Sequence, residues 1–404
     1  MDGALRWLYA CRGESIGVGR ATSRSKIGFH LLTNLGDSMK KLTLVAGAVL
    51  ALVSTTSALA QSSVTLYGIV DAAFMSTSKQ PATAGGASVG TVNKIEAGQL
   101  ATSRWGMRGS EDLGGGLKAN FTLESTLVND TGGAGSLFDR AAIVGVSGGF
   151  GAVTLGRQNI LAVDAVGAVD PIGFSQPGFN PNVAYSALNA GGLFGTFGTN
   201  GGGAALRQNN SIRYALPTMS GFSGAAMYGF GEQPGNSSAN TYFGLLGSFN
   251  AGPITASLSL NQLKNASATA ATTDKLTLVG GGVKYAISDA FAVKATYTQS
   301  KTDIAPQRKI AVAGVGVDFT VMPALTLTAA YYNTKRSGDF DSKANQLVGK
   351  VNYALSKRTS IYALMTHEKV NDGNQLVAQR VGLIATAQGE NSANRLVIGV
   401  FHAF

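Results

Sequence analysis

Over its second half the chain repeats one pattern at a nearly fixed period. An aromatic followed by a tight turn recurs at Tyr214, Phe249, Tyr285, Phe319 and Tyr353, at spacings of 35, 36, 34 and 34 residues. Each period holds a stretch leaving the turn, a polar loop, and a stretch returning. Apolar and polar residues alternate along these stretches, as in 254–260, 275–279, 325–331 and 359–365. A period of two is that of a β-strand. No stretch carries a helical stripe, and no apolar run is long enough for a helical span. The connections are short at one end of the repeat. At the other end they are longer and polar: 232–240, 264–274, 302–307, 336–343 and 371–375.

Strands of about ten residues with short turns at one end and long loops at the other mark a transmembrane β-barrel. Closure follows from the solvent, because an open sheet edge would leave backbone groups unpaired in hydrocarbon. A soluble propeller has a similar period but no alternation of long and short connections. The aromatics before the short turns form an interfacial girdle. Sixteen strands are expected: 64–75, 97–110, 116–128, 138–148, 151–158, 209–217, 221–231, 241–250, 253–263, 275–287, 290–301, 308–320, 323–335, 344–356, 359–370 and 394–404. Barrels of this size leave an aqueous channel. Residues 376–388 also alternate and are expected to extend a hairpin above the membrane.

The first 60 residues stand apart. Met39, Lys40 and Lys41 precede an apolar run, 42–53, and then Ala58-Leu59-Ala60. A basic start, a short apolar core and an A-x-A site describe a secretory signal peptide cut before Gln61. Residues 1–38 then lie upstream of it, as a start codon set too early would leave them. The expected mature domain is 61–404. Residues 1–60 hold seven of the 32 Lys/Arg and three of the 22 Asp/Glu, so 25 basic and 19 acidic residues remain, a net of +6. That charge is too mild and too spread to argue for nucleic acid. The single cysteine, Cys11, goes with the leader. An exported chain without cysteine is held by backbone pairing and packing alone.

One connection breaks the pattern. Between Arg157 and Arg207 lie 49 residues with ten Gly and three Pro, and Asp164 and Asp170 are their only charges. Structureless loops of this length are usually functional or disordered. Phe174, Phe179, Tyr185, Phe194 and Phe197 argue against disorder.

The segments 61–71, 103–119, 138–151 and 153–158, with Asn210-Ser211-Ile212-Arg213-Tyr214 and the final Phe404, together resemble the general diffusion porins of Gram-negative outer membranes, especially those of β-proteobacteria. The resemblance spans the mature chain. It implies a homotrimer of sixteen-stranded barrels in outer-membrane lipid and lipopolysaccharide. It also implies that the third extracellular loop, here 158–208, folds into the lumen. Parity sets Arg104 and Arg108 on the lumen face, with Trp105 and Met107 on the other. By motif match Arg104 and Arg140 take positions in an arginine ladder, with Arg213 or Arg207 as the third. Asp170 and Asp164 match acidic positions on the loop, and Asp170 is expected to face Arg104 and Arg140. The family's Pro-Glu-Phe-Gly-Gly motif is absent, which leaves the constriction basic. Rings of arginine favour anions, so the resemblance implies a weakly anion-selective pore for small hydrophilic solutes and ions. Phe404 is the aromatic that the barrel-assembly machinery reads in this family.

Little points to catalysis or to a cofactor. Only His367 and His402 remain in the mature chain, without metal-ligand spacing. There is no P-loop. Two rivals stay open: a substrate-specific channel, and an outer-membrane barrel enzyme.

Overall fold

The computed structural model describes residues 63–186, 206–266, 273–303, 306–376 and 379–404. Sixteen antiparallel strands pair in chain order and close on themselves. They are β1 Ser63–Pro81, β2 in two segments (Ser88–Ala97 and Arg104–Gly114), β3 Leu117–Val128, β4 Ala141–Gly148, β5 Gly151–Asn159, β6 Arg207–Ala215, β7 Phe222–Gly229, β8 Tyr242–Ala251, β9 Ile254–Ala266, β10 Thr273–Ala286, β11 Phe291–Thr302, β12 Lys309–Met322, β13 Leu325–Ser337, β14 Ser342–Ala354, β15 Thr359–Val370 and β16 Ser392–Ala403. A two-residue strand, Gly133–Ala134, pairs only with the end of β3.

Closure runs through the chain's two ends. β1 pairs β16 from Ile69 opposite Ala403 to Thr77 opposite Arg395. The rung beyond is Gly68 with Phe404, whose backbones exchange bonds of 3.2 and 3.1 Å. The seam is therefore paired from Thr77 down to Gly68, as closure in lipid requires.

The strand order is the expected one, with one correction. The second strand was expected over 97–110, but it begins at Ser88 and is interrupted. Its two segments pair with different stretches of β1. Residues 98–103 leave the ladder between them, around Asp71. The Asp71 carboxylate accepts from the amides of Leu100 (2.6 Å) and Ala101 (2.8 Å). Tyr362 donates to its other oxygen, and Ser103 Oγ bonds its backbone. A bulge that leaves amides unpaired needs a local acceptor, and Asp71 supplies it.

Alternation sorts the side chains as parity dictates. Leu258, Val315, Leu347 and Ile398 point outward and are more than half exposed, an arrangement suited to lipid. Tyr214, Tyr285, Phe319 and Tyr353 stand outward near the short turns, which makes the girdle read from the repeat. The inner wall is polar: Asn261, Thr298, Ser300, Thr366 and Gln346 are buried there.

A second correction concerns residues 376–388. Of these, 379–388 do not prolong a hairpin. Val381, Ile384, Ala385 and Ala387 are buried, and the amides of Leu383 (3.0 Å), Ile384 (2.8 Å) and Ala385 (2.9 Å) donate to the carboxylate of Glu368 on β15. The alternation of these residues packs them beside the inward-facing Glu368 instead of pairing them in a ladder.

Candidate functional site: a narrowed lumen

The chain after β5 turns into the barrel. It forms a short helix, α1 Leu161–Gly167, in which Leu161, Ala165 and Val166 are fully buried. Its first amides meet the inner wall: Leu161 N donates to Tyr242 Oη (3.0 Å) and Ala162 N to Asn261 Oδ1 (3.2 Å). Ser257 Oγ donates to Ala165 O. Burying a side chain such as Leu161 contributes roughly 1.5–3 kcal/mol. Glycines on the wall make the close approach possible. A Cβ on Gly280 would come 3.2 Å from Val166, and one on Gly316 would come 2.8 Å from Pro171.

The loop then crosses to β11–β15 and is fixed there. Lys294 Nζ donates to Pro171 O (3.2 Å) and Lys350 Nζ to Ile172 O (2.9 Å). Gln346 Nε2 donates to Phe179 O (3.0 Å). Gln176 N donates to Gln99 O in the β2 bulge (2.6 Å), and Thr366 Oγ1 to Gln176 Oε1 (3.1 Å). The Arg395 guanidinium lies 3.1 Å from the centre of the Phe179 ring.

Asp170 is part of this joint, which corrects the sequence expectation. It does not face Arg104 and Arg140. It is 1% exposed and its carboxylate accepts from Ile172 N (3.1 Å), Phe174 N (3.0 Å), Asn180 Nδ2 (3.0 Å), Asn182 Nδ2 (2.9 Å) and Tyr332 Oη (3.2 Å). A buried carboxylate must collect hydrogen bonds of this kind, and the amides of a Pro-Ile-Gly-Phe turn supply two of them. The side chain that looked like a pore charge holds the loop's shape.

The arginines gather on the other side. Arg140 Nε donates to Glu124 Oε1 at 2.6 Å, and Arg104 Nη1 lies 4.0 Å from the same oxygen. Tyr67 Oη donates to Glu124 Oε2 (3.0 Å). Arg207 Nε donates to Arg140 O (3.0 Å). A space of about 220 Å³ separates Arg104, Arg140 and Arg207 from Gly173, Phe174, Pro177 and Val183 of the loop. Thus Arg207, not Arg213, lies with Arg104 and Arg140 around this space. Arg213 pairs instead with Asp164 of α1 at 2.7 Å. Arg108 shares the face of Arg104 but stacks on Tyr67, 5.1 Å from the ring centre.

Glu124 escaped the sequence reading. The signal was parity: Thr122, Glu124 and Thr126 share one face of β3, and Glu124 is its acid. Lys294 and Lys350 escaped because they hold loop backbone, and Arg395 because it stacks on a loop ring. Of the loop's aromatics, Phe194 and Phe197 lie outside the described residues, as does all of 187–205. Among the described residues no cluster of His, Cys, Asp or Glu could hold a metal ion.

A family model described as Gram-negative porin matches residues 46–373. The outer membrane porin protein 32 of Delftia acidovorans is 35% identical over 374 residues, covering 91% of this chain and 100% of that protein. The anion-selective porin from Comamonas acidovorans superposes with a TM-score of 0.70 at 29% identity, covering 85% of this chain and 100% of the other. OmpT of Vibrio cholerae, in its trimer form, shares the fold with a TM-score of 0.59 at 18% identity over 85% of this chain and 99% of its own. With a closed barrel, an inward loop and a family model matched over most of its length, the chain belongs to the Gram-negative porins.

Proposed function

We propose that this porin is a water-filled outer-membrane channel for passive diffusion of small hydrophilic solutes and ions, weakly selective for anions. One observation carries the selectivity: Arg104, Arg140 and Arg207 crowd one side of the narrowed lumen with Glu124 as their paired carboxylate. Three cations against one anion leave the opening positive, and charge interactions strengthen where water is scarce. The similarity to the anion-selective porin from Comamonas acidovorans supports the same reading. Arg213 and Arg108 extend the basic wall, and Asp164 supplies the acid on the loop side. The relatives are porins, not enzymes.

The remaining roles follow from the same reading. The barrel works as a homotrimer, in keeping with the trimer form of OmpT. Residues 39–60 direct export and are removed, residues 1–38 are an extension upstream of them, and 61–404 are the working domain. The terminal Phe404 serves as the assembly signal. Reversal potentials across planar bilayers under a salt gradient test the selectivity. Cation selectivity that persists in Arg104→Ser would overturn it.

A further inference from the structure

The space between the arginines and the inward loop has two unlike sides. Arg104, Arg140 and Arg207 line one of them, and among the described residues no Asp or Glu lines the space. Each guanidinium is fixed by its Nε. Arg104 donates to Thr102 O at 2.9 Å, Arg140 to Glu124 Oε1 at 2.6 Å, and Arg207 to Arg140 O at 3.0 Å. This anchorage leaves the Nη atoms for a solute. A carboxylate has two oxygens whose spacing matches a guanidinium edge.

The other side is apolar. Phe174, Pro177 and Val183 of the loop line it, with Val163 of α1 and Leu206 just before β6. The loop's two acids are engaged elsewhere: Asp170 accepts from Tyr332 in the buried joint, and Asp164 pairs with Arg213. A cationic wall therefore faces hydrocarbon groups across about 220 Å³. That is less than the roughly 300–1,000 Å³ of an ordinary ligand pocket, and it suits a small solute.

Phe174 is held here against its own backbone preference. Its φ is +60°, a region that residues with a side chain seldom adopt. Its amide donates to Asp170 Oδ1 at 3.0 Å. Its ring lies close to Gly167 of α1, where a Cβ would come within 3.1 Å of it. Backbone strain of this kind gathers at ligand clamps. Here it keeps an aromatic ring at the edge of a basic opening, in a conformation that a glycine would take freely.

We infer that this opening is a transient binding site for small carboxylates that carry an apolar body, arylcarboxylates above all. The carboxylate lies on the Nη atoms of Arg140 and Arg207. The aryl ring packs offset or edge-on against Phe174, with Val163 and Val183 beside it. Acetate gains only the first contact, and a neutral aromatic only the second. The inference rests on the reading of this lumen as an anion-selective channel and adds a solute class to it.

The test uses the purified protein in planar bilayers carrying chloride current, with sodium benzoate, sodium acetate and benzyl alcohol as probes. Benzoate should halve the current at a concentration about tenfold below that needed for acetate, the factor that two methylene equivalents of apolar surface withdrawn from water would give. Benzyl alcohol should block more weakly than benzoate. Phe174→Gly suits the backbone and removes the ring, and it should bring the benzoate value close to that of acetate. Val163→Thr keeps the side chain's shape and should act in the same direction by less. Arg207→Gln should weaken benzoate and acetate alike. Equal action of benzoate and acetate on wild type, including no block by either, overturns the site. Block by benzyl alcohol as strong as that by benzoate overturns the carboxylate assignment. A benzoate preference that survives both Phe174→Gly and Val163→Thr overturns the assignment to this opening. Failure of the underlying channel reading shows separately, as cation selectivity of wild type in potassium chloride before any probe is added.

Discussion

Glu124 stands between two arginines on the lumen wall, with Arg140 Nε 2.6 Å and Arg104 Nη1 4.0 Å from one of its oxygens. The carboxylate holds like charges together that would otherwise spread into the lumen. It also subtracts one charge from the positive side of the opening. These two effects can be separated by substitution.

Glu124→Gln should make the pore more anion-selective. One unit charge about 4 Å away in water corresponds to about 1 kcal/mol, or roughly fivefold in an ion ratio. Reversal potentials should move in that direction and by no more than that scale. Arg140→Ser and Arg207→Ser should move it the opposite way.

Asp170→Ala should loosen the loop without changing the charge the pore presents. The carboxylate accepts bonds from two backbone amides, two asparagines and Tyr332. Hydrogen bonds to a charged group contribute about 1.5–3 kcal/mol each, though not additively. The variant should show larger, noisier single-channel current and a lower unfolding temperature, with the anion-to-cation ratio near that of wild type. Tyr332→Phe removes one donor and should give a smaller shift of the same kind.

Much of this was legible beforehand, and the limits have physical causes. The sixteen strands followed from alternation and from the 34–36-residue repeat, because lipid on one side and water on the other force a period of two. Parity set Arg104 on the lumen face for the same reason, whereas Arg140 was read from its motif alone. Asp170 was misjudged because a lone acid in a glycine-rich loop looks the same whether it faces water or gathers buried donors. Only Asn180, Asn182 and a tyrosine 162 residues away decide which. The interruption of β2 was hidden because the run 88–110 does not announce which acceptor will serve the amides of Leu100 and Ala101.

Glu368→Gln should release residues 379–388 from the barrel mouth. A neutral amide oxygen cannot serve the donors of Leu383, Ile384 and Ala385 as the carboxylate does. Limited proteolysis of intact protein in micelles should cut near Arg380 sooner than in wild type. An unchanged cleavage pattern would mean that apolar packing of Val381 and Ile384 alone holds the segment.

The turn between β13 and β14 should respond to acid. Burial pushes the Asp339 carboxyl up, but hydrogen bonds from Arg336 and the amide of Phe340, with the charges of Arg336 and Arg308, outweigh it and hold the group below the usual carboxylate range. A depressed value in the folded state adds stability above the unfolded value of about 3.9. That stability is lost as pH falls through the lower, folded value. Asp339→Asn should therefore destabilise the protein at neutral pH, and the difference from wild type should shrink as the pH falls below about 4. Thermal unfolding at pH 7 and pH 3 measures it.

The wall grips the inward loop in part by its main chain. Lys294, Lys350 and Gln346 each donate to a carbonyl, those of Pro171, Ile172 and Phe179. A carbonyl is the same whatever side chain its residue bears. The grip therefore tolerates drift in much of the loop's sequence, and natural variation can reshape the surface that solutes meet without unfastening the segment that carries it. Selection on the docking bonds falls instead on the barrel strands, which are already constrained by lipid and by their ladders. A lineage can explore new pore linings in the loop while its anchorage is inherited in the wall.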